Sequence, residues 1–443
     1  SQLRQNSIDV RIPARIVIGV TGHRKLANVP ELINGVRAAI EHVQKMPPSL
    51  ANTPIGLTVL TPLAEGADQL VAREVLRIIG STMEVVLPMD KDHYFEDFQT
   101  NQSKKDLEEL LAQATSVRQL PFTGNRAESY EQVGRYIVVH CAVLFALCDG
   151  KEAEGQGCTA HIISYARENR CPLLWINTQD SGKLSIEPGR GLNAKAYQDL
   201  DGYNSEQVDM ASFEKQFYSQ RDFLVKQADG AKLRFDAIQQ TVEYFMRHLI
   251  RADRLASHYQ KMYYRMGTTI YLLAAGSIVL AAAQTIFFSK YPKILIAEVV
   301  FMITVLFIIW LGRQRHWQTK WLDYRFLAER FRSAMWIALS NIDVSTLRPP
   351  RHLSLAYSSN DWLVAAFSSV WSQRPKMRDS DQLSEERFRK FLRDAWIEDQ
   401  IRYQDSISRE HYRLHQILSS GSNILSRLTL LVARLLAIDC ASS

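Results

Sequence analysis

Two apolar runs lie back to back near the middle of this chain, at residues 267–288 and 294–312, with a short turn between them. At 1.5 Å per residue, helices over these runs are about 33 Å and about 28 Å long, close to the ~30 Å hydrocarbon core of a bilayer. Glu298 is the one acidic or basic residue inside them. The pattern predicts a transmembrane hairpin, and a pair of buried core helices is the alternative.

The charges that flank the apolar runs indicate an orientation. Nine basic residues lie just outside the pair, namely Arg247, Arg251, Arg254, Lys261, Arg265, Arg313, Arg315, Lys320 and Arg325. The turn carries only Lys290 and Lys293. Since positive loops stay in the cytoplasm, we expect both termini to be cytoplasmic and the turn to face outward.

Composition narrows the classes of partner. The formal net charge is +6, but much of this excess flanks the apolar pair, where anionic lipid headgroups account for it. We therefore expect membrane lipids as a partner and no direct binding of nucleic acid. The five cysteines contain no C-x-x-C pair, so neither structural zinc nor a disulfide framework is expected.

Residues 15–178 alternate short β-rich runs with helical patterns, which predicts an α/β fold with a Rossmann-like parallel sheet. The strands are expected at 15–20, 57–61, 83–87, 116–120, 142–147 and 172–177. Residues 179–211 are polar and glycine-containing, which is typical of a loop or linker. The predicted organisation is a sheet domain over 1–180, a linker over 181–211 and an all-α membrane domain over 212–443.

Three glycine-containing turns fall at the carboxyl ends of predicted strands, where open parallel sheets bind their ligands. An arginine there pairs with phosphate, carboxylates accept from ribose hydroxyls, and glycines expose backbone N–H groups to an anion. The turns predict a site for a nucleotide or phosphate. Its candidate residues are Gly22, His23, Arg24, Glu65, Gly66, Asp68, Asp149, Gly155, Gly157 and Thr159.

These motifs resemble a known family. Val20-Thr-Gly-His-Arg24, Ala64-Glu-Gly-Ala-Asp68, Ala146-Leu-Cys-Asp-Gly150 and Gly155-Gln-Gly-Cys-Thr159 are similar to successive motifs of the SLOG superfamily, the Rossmann-like group of LOG phosphoribohydrolases and of sensing domains in TRPM channels and Thoeris effectors. The membrane half resembles the SLATT family, in which two spans precede a helix like the segment 321–332.

The resemblance implies a bacterial antiviral effector in the inner membrane. Its ligand would be a nucleotide-derived second messenger from a partner enzyme, either a cyclic oligonucleotide or an ADP-ribose derivative, with no cofactor. LOG enzymes carry a glutamate three residues after the threonine of the last motif, whereas this chain has Ile162. That difference favours a sensor over an enzyme.

The first apolar run carries small and polar residues at helical spacing, which allow close approach between helices. They either pack statically within the hairpin or line a pore in a homo-oligomer, because two spans cannot enclose a conduit alone. A carboxyl inside the membrane usually faces protein or water. The candidate pore or membrane residues are Ser277, Ala281, Gln284, Thr285 and Glu298.

Three interpretations remain open from the sequence, of which the third is a structural scaffold with an empty pocket. The first is a messenger-gated effector in which ligand binding drives oligomerisation and then pore formation or membrane disruption. The second is a membrane-anchored nucleotide N-glycosidase of the LOG type, for which Glu65, Asp68, Asp149 and Glu168 supply carboxylates.

Overall fold

The computed structural model describes residues 10–122, 124–150, 159–287, 293–340, 362–375 and 385–402, with scattered residues between 404 and 427. Contacts divide the chain into two compact units, residues 1–217 with 240–377 and residues 218–239 with 378–443. The first unit contains both the sheet and the long apolar helices.

The sheet has seven strands in the order β4-β3-β2-β1-β5-β6-β7, with β1 at its centre. All neighbouring strands are parallel except β6 and β7. The strands are β1 (Ala14–Gly22), β2 (Ile55–Thr61), β3 (Thr82–Leu87), β4 (Ser116–Gln119), β5 (Val143–Cys148), β6 (Leu173–Asn177) and β7 (Leu184–Glu187). The predicted α/β class and all six predicted strands are confirmed.

Helices cover both faces of the sheet, which accounts for the near-continuous burial of β2 and β5. The helices of this part are α1 (Val29–Lys45), α2 (Ala67–Leu76), α3 (Lys91–Phe95), α4 (Asn101–Gln113), α5 (Arg126–His140) and α6 (Thr159–Glu168). Side chains of α1, α2 and α4 pack in one buried cluster with β1. Those of α5 and α6 form a second cluster with β5.

The segment expected to be a linker is structured, so that prediction was wrong. It contains the edge strand β7 and the helix α7 (Ala194–Ser205), which Asn193 caps by accepting from the N–H of Ala196 at 3.3 Å. Leu200 and Tyr203 are buried, while most other α7 side chains are exposed. A helix that buries so few apolar residues has a polar composition, which explains why its pattern resembled a loop.

The helical half contains α8 (Met210–Gly230), α9 (Phe235–Phe287), α10 (Lys293–Gln314), α11 (Trp317–Leu339) and α12 (Trp362–Ser372). α9 is a continuous helix of 53 residues that includes residues 267–287 of the first apolar run, and α10 includes the second run. The helical character expected for residues 212–265 is confirmed apart from the break between α8 and α9.

Two helices among the described residues are long and apolar enough to cross a membrane. Their apolar side chains are largely exposed, with Tyr271 77%, Ile278 70% and Leu306 62% accessible. A Cβ added to Gly276 of α9 would lie 3.1 Å from the Phe301 ring of α10, so these two helices are in contact. An exposed apolar surface of this kind requires lipid or protein to cover it.

The second unit is helical in its described part. Helix α13 (Glu385–Leu392) continues into a π-helical turn at Arg393–Ile397. Lys390 donates to the carbonyl of Gly230 at 2.9 Å, and the Arg221 guanidinium lies 5.9 Å from the Phe235 ring centre. The end of α8 and the start of α9 therefore belong to this unit.

A substitution of Phe331 tests the packing of the core between α11 and α12. Phe331 is fully buried in α11 and stacks on Phe367. We expect Phe331→Ala to lower the free energy of unfolding by about 3–5 kcal/mol, because it removes a buried ring and leaves a cavity. Leu322→Ala on the same helix is the control, since Leu322 is 50% exposed, and is expected to cost less than about 1 kcal/mol. Thermal unfolding of the full chain in detergent measures both, and equal losses would contradict this packing.

Candidate functional site

A cleft of about 190 Å³ opens at the carboxyl end of β1. Strands β2, β3 and β4 follow one another along the sheet from one edge of β1. The chain then returns to the centre, and β5 pairs with the other edge of β1. Such a reversal separates the loops that follow the two neighbouring strands, and open α/β sheets bind ligands in the resulting crevice. The cleft is lined mainly by the turns after β1 and β2 and by α5 and α6.

Two glycines let the first and second turns interlock. A Cβ on Gly22 would lie 2.4 Å from Cβ of Ala67, and one on Gly66 would lie 2.4 Å from the carbonyl oxygen of Arg24. Gly66 also has a φ of +80°, which favours glycine. The N–H of Ala67 donates to the carbonyl of His23 at 3.1 Å. The first turn therefore rests directly on the start of α2.

Arg24 is held at the mouth of the cleft by an aromatic side chain. Its guanidinium carbon lies 4.9 Å from the centre of the Tyr130 ring, within the range of a cation–π contact. The Tyr130 hydroxyl donates to Asp97, and Arg126 donates to the other oxygen of that carboxylate at 2.5 Å. Partial burial and the bond to Asp97 raise the pKa of Tyr130. The Tyr130 hydroxyl therefore stays neutral and does not cancel the charge of Arg24. The exposed guanidinium of Arg24 can pair with an anion.

Asp68 also lines the cleft and is only 5% exposed. Burial raises its pKa to about 7, against the opposing effects of the N–H of Ala64, which donates to it at 3.1 Å, and of Arg24. A carboxyl that titrates near neutrality can both accept and donate hydrogen bonds near pH 7.

The remaining predicted residues fall into four groups. Thr159 lines the cleft with Gly22, Arg24 and Asp68. His23 and Asp149 lie beside it, with Nε2 and Oδ1 3.4 Å apart. Glu65 is half-exposed and does not line the cleft, whereas Gly66 acts through the backbone. Gly155 and Gly157 lie outside the described residues.

Sequence reasoning missed the contribution of α5. Tyr130, Val133, Gly134 and Ile137 form one wall of the cleft. The signal that points to this wall is Gly134, since a glycine in the middle of a helix costs stability and often marks a close approach. A Cβ at Gly134 would lie 2.3 Å from Cδ1 of Ile162, so α5 and α6 pack together directly below the cleft.

The electrostatics of the cleft favour an anion. The amino-terminal turn of α2 carries Asp68, and the first described turn of α6 carries Thr159, so two helix dipoles present their positive ends. Arg24 adds a full positive charge. Protonation of Asp68 removes the one negative charge among the described residues of the lining. Among the described residues, no cluster of three or more His, Cys, Asp or Glu is placed to hold a metal ion.

The candidate membrane residues lie along α9 and α10. Ser277 is half-buried and donates to the carbonyl of Ala274 in its own helix at 3.3 Å, and Ala281 is also half-buried. The backbones of Gln284 and Thr285 belong to α9 and that of Glu298 to α10, but their side chains lie outside the described part. A pore-lining role for these five residues stays a prediction.

No protein-family model matches this chain, and no curated protein matches it at a significant level.

The buried carboxyl of the cleft makes stability depend on pH. The folded protein holds the proton of Asp68 more tightly than the unfolded chain does, because the pKa rises from about 4 to about 7. Stability is therefore expected to fall as pH rises through that window, by at most about 4 kcal/mol, and to level off above it. Denaturant unfolding of the full chain at pH 4.5 to 8 measures the slope.

Asp68→Asn removes the titrating group and is expected to flatten that slope, whereas the exposed Asp92→Asn is expected to leave it unchanged. An unaltered slope in Asp68→Asn would show that the carboxyl does not titrate in this range.

The positioning of Arg24 is tested by Tyr130→Phe, which keeps the ring under the guanidinium but removes the hydroxyl that bonds to Asp97. We expect the Kd for inorganic phosphate, used as a probe anion, to rise about 3–10-fold, because Arg24 loses a fixed support. The control is Tyr165→Phe, which alters a matched pair, Arg135 over Tyr165 at 4.8 Å, outside the cleft lining. Calorimetric titration measures both, and equal effects would contradict the positioning role.

Proposed function

We propose that this protein is a membrane effector gated by a nucleotide-derived second messenger and belongs, by resemblance, to the SLOG and SLATT families of bacterial antiviral defence. The observation that carries the proposal is the presence in one chain of an anion-attracting cleft and an exposed apolar helix pair. In this proposal α9 and α10 cross the bacterial inner membrane, and both termini are cytoplasmic.

The cleft suits part of a nucleotide. Its volume of about 190 Å³ is below the ~300–1,000 Å³ typical of complete ligand pockets, which fits one phosphate-bearing ribose unit held by the described residues. Arg24 binds phosphate, and Asp68, when protonated, donates to a phosphate or ribose oxygen. Both a cyclic oligonucleotide and an ADP-ribose derivative contain this unit.

The apolar helices act as the effector in this proposal. Two spans cannot enclose a conduit, so ligand binding must favour an oligomer whose spans form a pore or disrupt the bilayer. The ligand shifts this equilibrium only as far as it binds the assembled state more tightly than the resting state. The wide exposed apolar surfaces of α9 and α10 provide both lipid-facing area and area for contacts between subunits.

The arrangement around α6 favours sensing over hydrolysis. Ile162, at the position where the resemblance expects a catalytic glutamate, is buried and lines the cleft. Glu168 is exposed at the end of α6 and is not among the lining residues. The carboxylates nearest to a bound ribose in this proposal are Asp68 and, beside the cleft, Asp149.

One observation keeps the N-glycosidase alternative in view. Asp68 has a pKa of about 7, which suits a general acid for a leaving base. Incubation of the purified protein with nucleoside monophosphates and ADP-ribose, followed by chromatography for free base, separates the two functions. Release of base that Asp68→Asn abolishes would establish the enzyme and overturn the sensor.

The gating is tested with the full chain in vesicles of phosphatidylglycerol and phosphatidylethanolamine that contain a trapped dye. We expect ADP-ribose or a cyclic oligoadenylate, whichever raises the thermal midpoint, to release the dye, and Arg24→Ala to reduce that release at least tenfold. Arg37→Ala is the control, since Arg37 pairs with Glu74 at 2.8 Å outside the cleft. Sealed vesicles with a saturated cleft would overturn the proposal.

A further inference from the structure

The carboxyl-terminal end of α7 is bonded to the sheet through one buried side chain. Asn204, which is 6% exposed, accepts from the N–H of Ile12 at 2.9 Å and donates to the carbonyl of Ile12 at 2.8 Å. Its amide also donates to the hydroxyl of Thr53 at 2.9 Å. Ile12 and Thr53 lie just before β1 and β2, so this amide fixes the amino ends of both strands.

The same end of α7 is bonded to α9 through a buried arginine. Nη2 of Arg251 lies 3.0–3.1 Å from the carbonyl oxygens of Tyr203, Asn204 and Glu206. The last carbonyls of a helix lack partners within the helix, and its negative dipole end attracts a cation. The guanidinium also lies 5.1 Å from the centre of the Tyr203 ring. Arg251 therefore caps α7 from a different helix.

A third set of bonds extends this contact to α11. Oε1 of Glu206 accepts from the Tyr259 hydroxyl of α9 at 2.6 Å and from Nζ of Lys320 of α11 at 2.5 Å. α9 leads into the first apolar run and α11 follows the second. We call Asn204, Glu206, Arg251, Tyr259 and Lys320 the α7 joint. It ties the sheet to both helices that flank the apolar pair.

The α7 joint and the cleft lie at opposite ends of β1. The cleft uses the turn after Gly22, whereas Ile12 lies two residues before Ala14. At about 3.3 Å per residue, a strand of nine residues separates them by about 30 Å. A ligand in the cleft therefore touches no residue of the joint, and its effect must pass along the sheet.

The hydrogen bonds of the α7 joint are expected to be either all formed or all broken, because partial displacement of Arg251 is unfavourable. Arg251 is 8% exposed, and its Nε has no partner among the described residues. A buried cation that leaves its carbonyls cannot regain water without opening the surrounding packing. The three carbonyls and the guanidinium thus stay together or separate as a unit.

We propose that the α7 joint is the connection through which occupancy of the cleft reaches the apolar helices, with Arg251 as its positioning residue. This inference rests on the proposed function, because it supplies the route for the gating. The route runs through β1 and the end of α7 into α9 and α11. It does not require the ligand to act through α8.

A ligand-free experiment tests the mechanical part. Asn204→Asp keeps the size of the side chain but removes the donor to Ile12 and Thr53. Hydrogen exchange on the full chain in detergent is expected to show at least tenfold faster exchange in α9 residues 255–262 as well as near Ile12. Asn169→Asp is the control, since the exposed side-chain amide of Asn169 donates a hydrogen bond only locally, to the carbonyl of Tyr165 one turn earlier. A change confined to residues near Ile12 and α7 would overturn the inference.

A vesicle experiment tests the coupling with the compounds and dye assay described above. Arg251→Gln is expected to bind the compound within about twofold of the native Kd but to release dye at least tenfold less per folded molecule. Arg251→Lys is expected to recover part of the release, because an ammonium offers three donors to the carbonyls. Native-level release from folded Arg251→Gln would overturn the joint, whereas absence of release from the native protein would overturn the proposed function itself.

Discussion

The packing of β1 is the constraint on which the rest of this structure depends. This strand pairs with β2 on one side and β5 on the other and is covered on both faces, so it cannot shift alone without disturbing the core. Its carboxyl end forms the cleft, where Gly22 allows the turn to rest on α2. Its amino end lies against the α7 joint. One rigid element thus positions both the candidate cleft and the attachment of the helical half.

Much of the fold was predictable because its signals are local. Parallel strands buried on both faces give continuous apolar runs, and the glycine turns after β1 and β2 mark the cleft. The second apolar run predicted the bounds of α10 within two residues, whereas the first run covers only the last part of the 53-residue helix α9. Four of the predicted ligand residues, Gly22, Arg24, Asp68 and Thr159, line one cleft, because all four follow strands or begin helices at the same edge of the sheet.

The parts that sequence reasoning missed depend on contacts between distant residues. Tyr130 lies on a helix whose pattern indicates only a packed face, and its place beside Arg24 follows from how α5 crosses the sheet. α7 was taken for a loop because it buries few apolar side chains and is held by polar bonds instead. The role of Arg251 was hidden for a related reason. It was counted with the positive charges near the apolar runs, yet it is buried and caps α7.

The continuity of α9 has a mechanical consequence. From Arg251 to Phe287 the helix runs without a break over 37 residues, which at a rise of 1.5 Å per residue places its ends about 54 Å apart. A rotation of about 5° at the guanidinium therefore moves the far end by about 5 Å, roughly half the width of a helix. Under the proposed function, a helix of this length would convert a displacement too small to break the core of the sheet into one large enough to exchange helix neighbours in a bilayer.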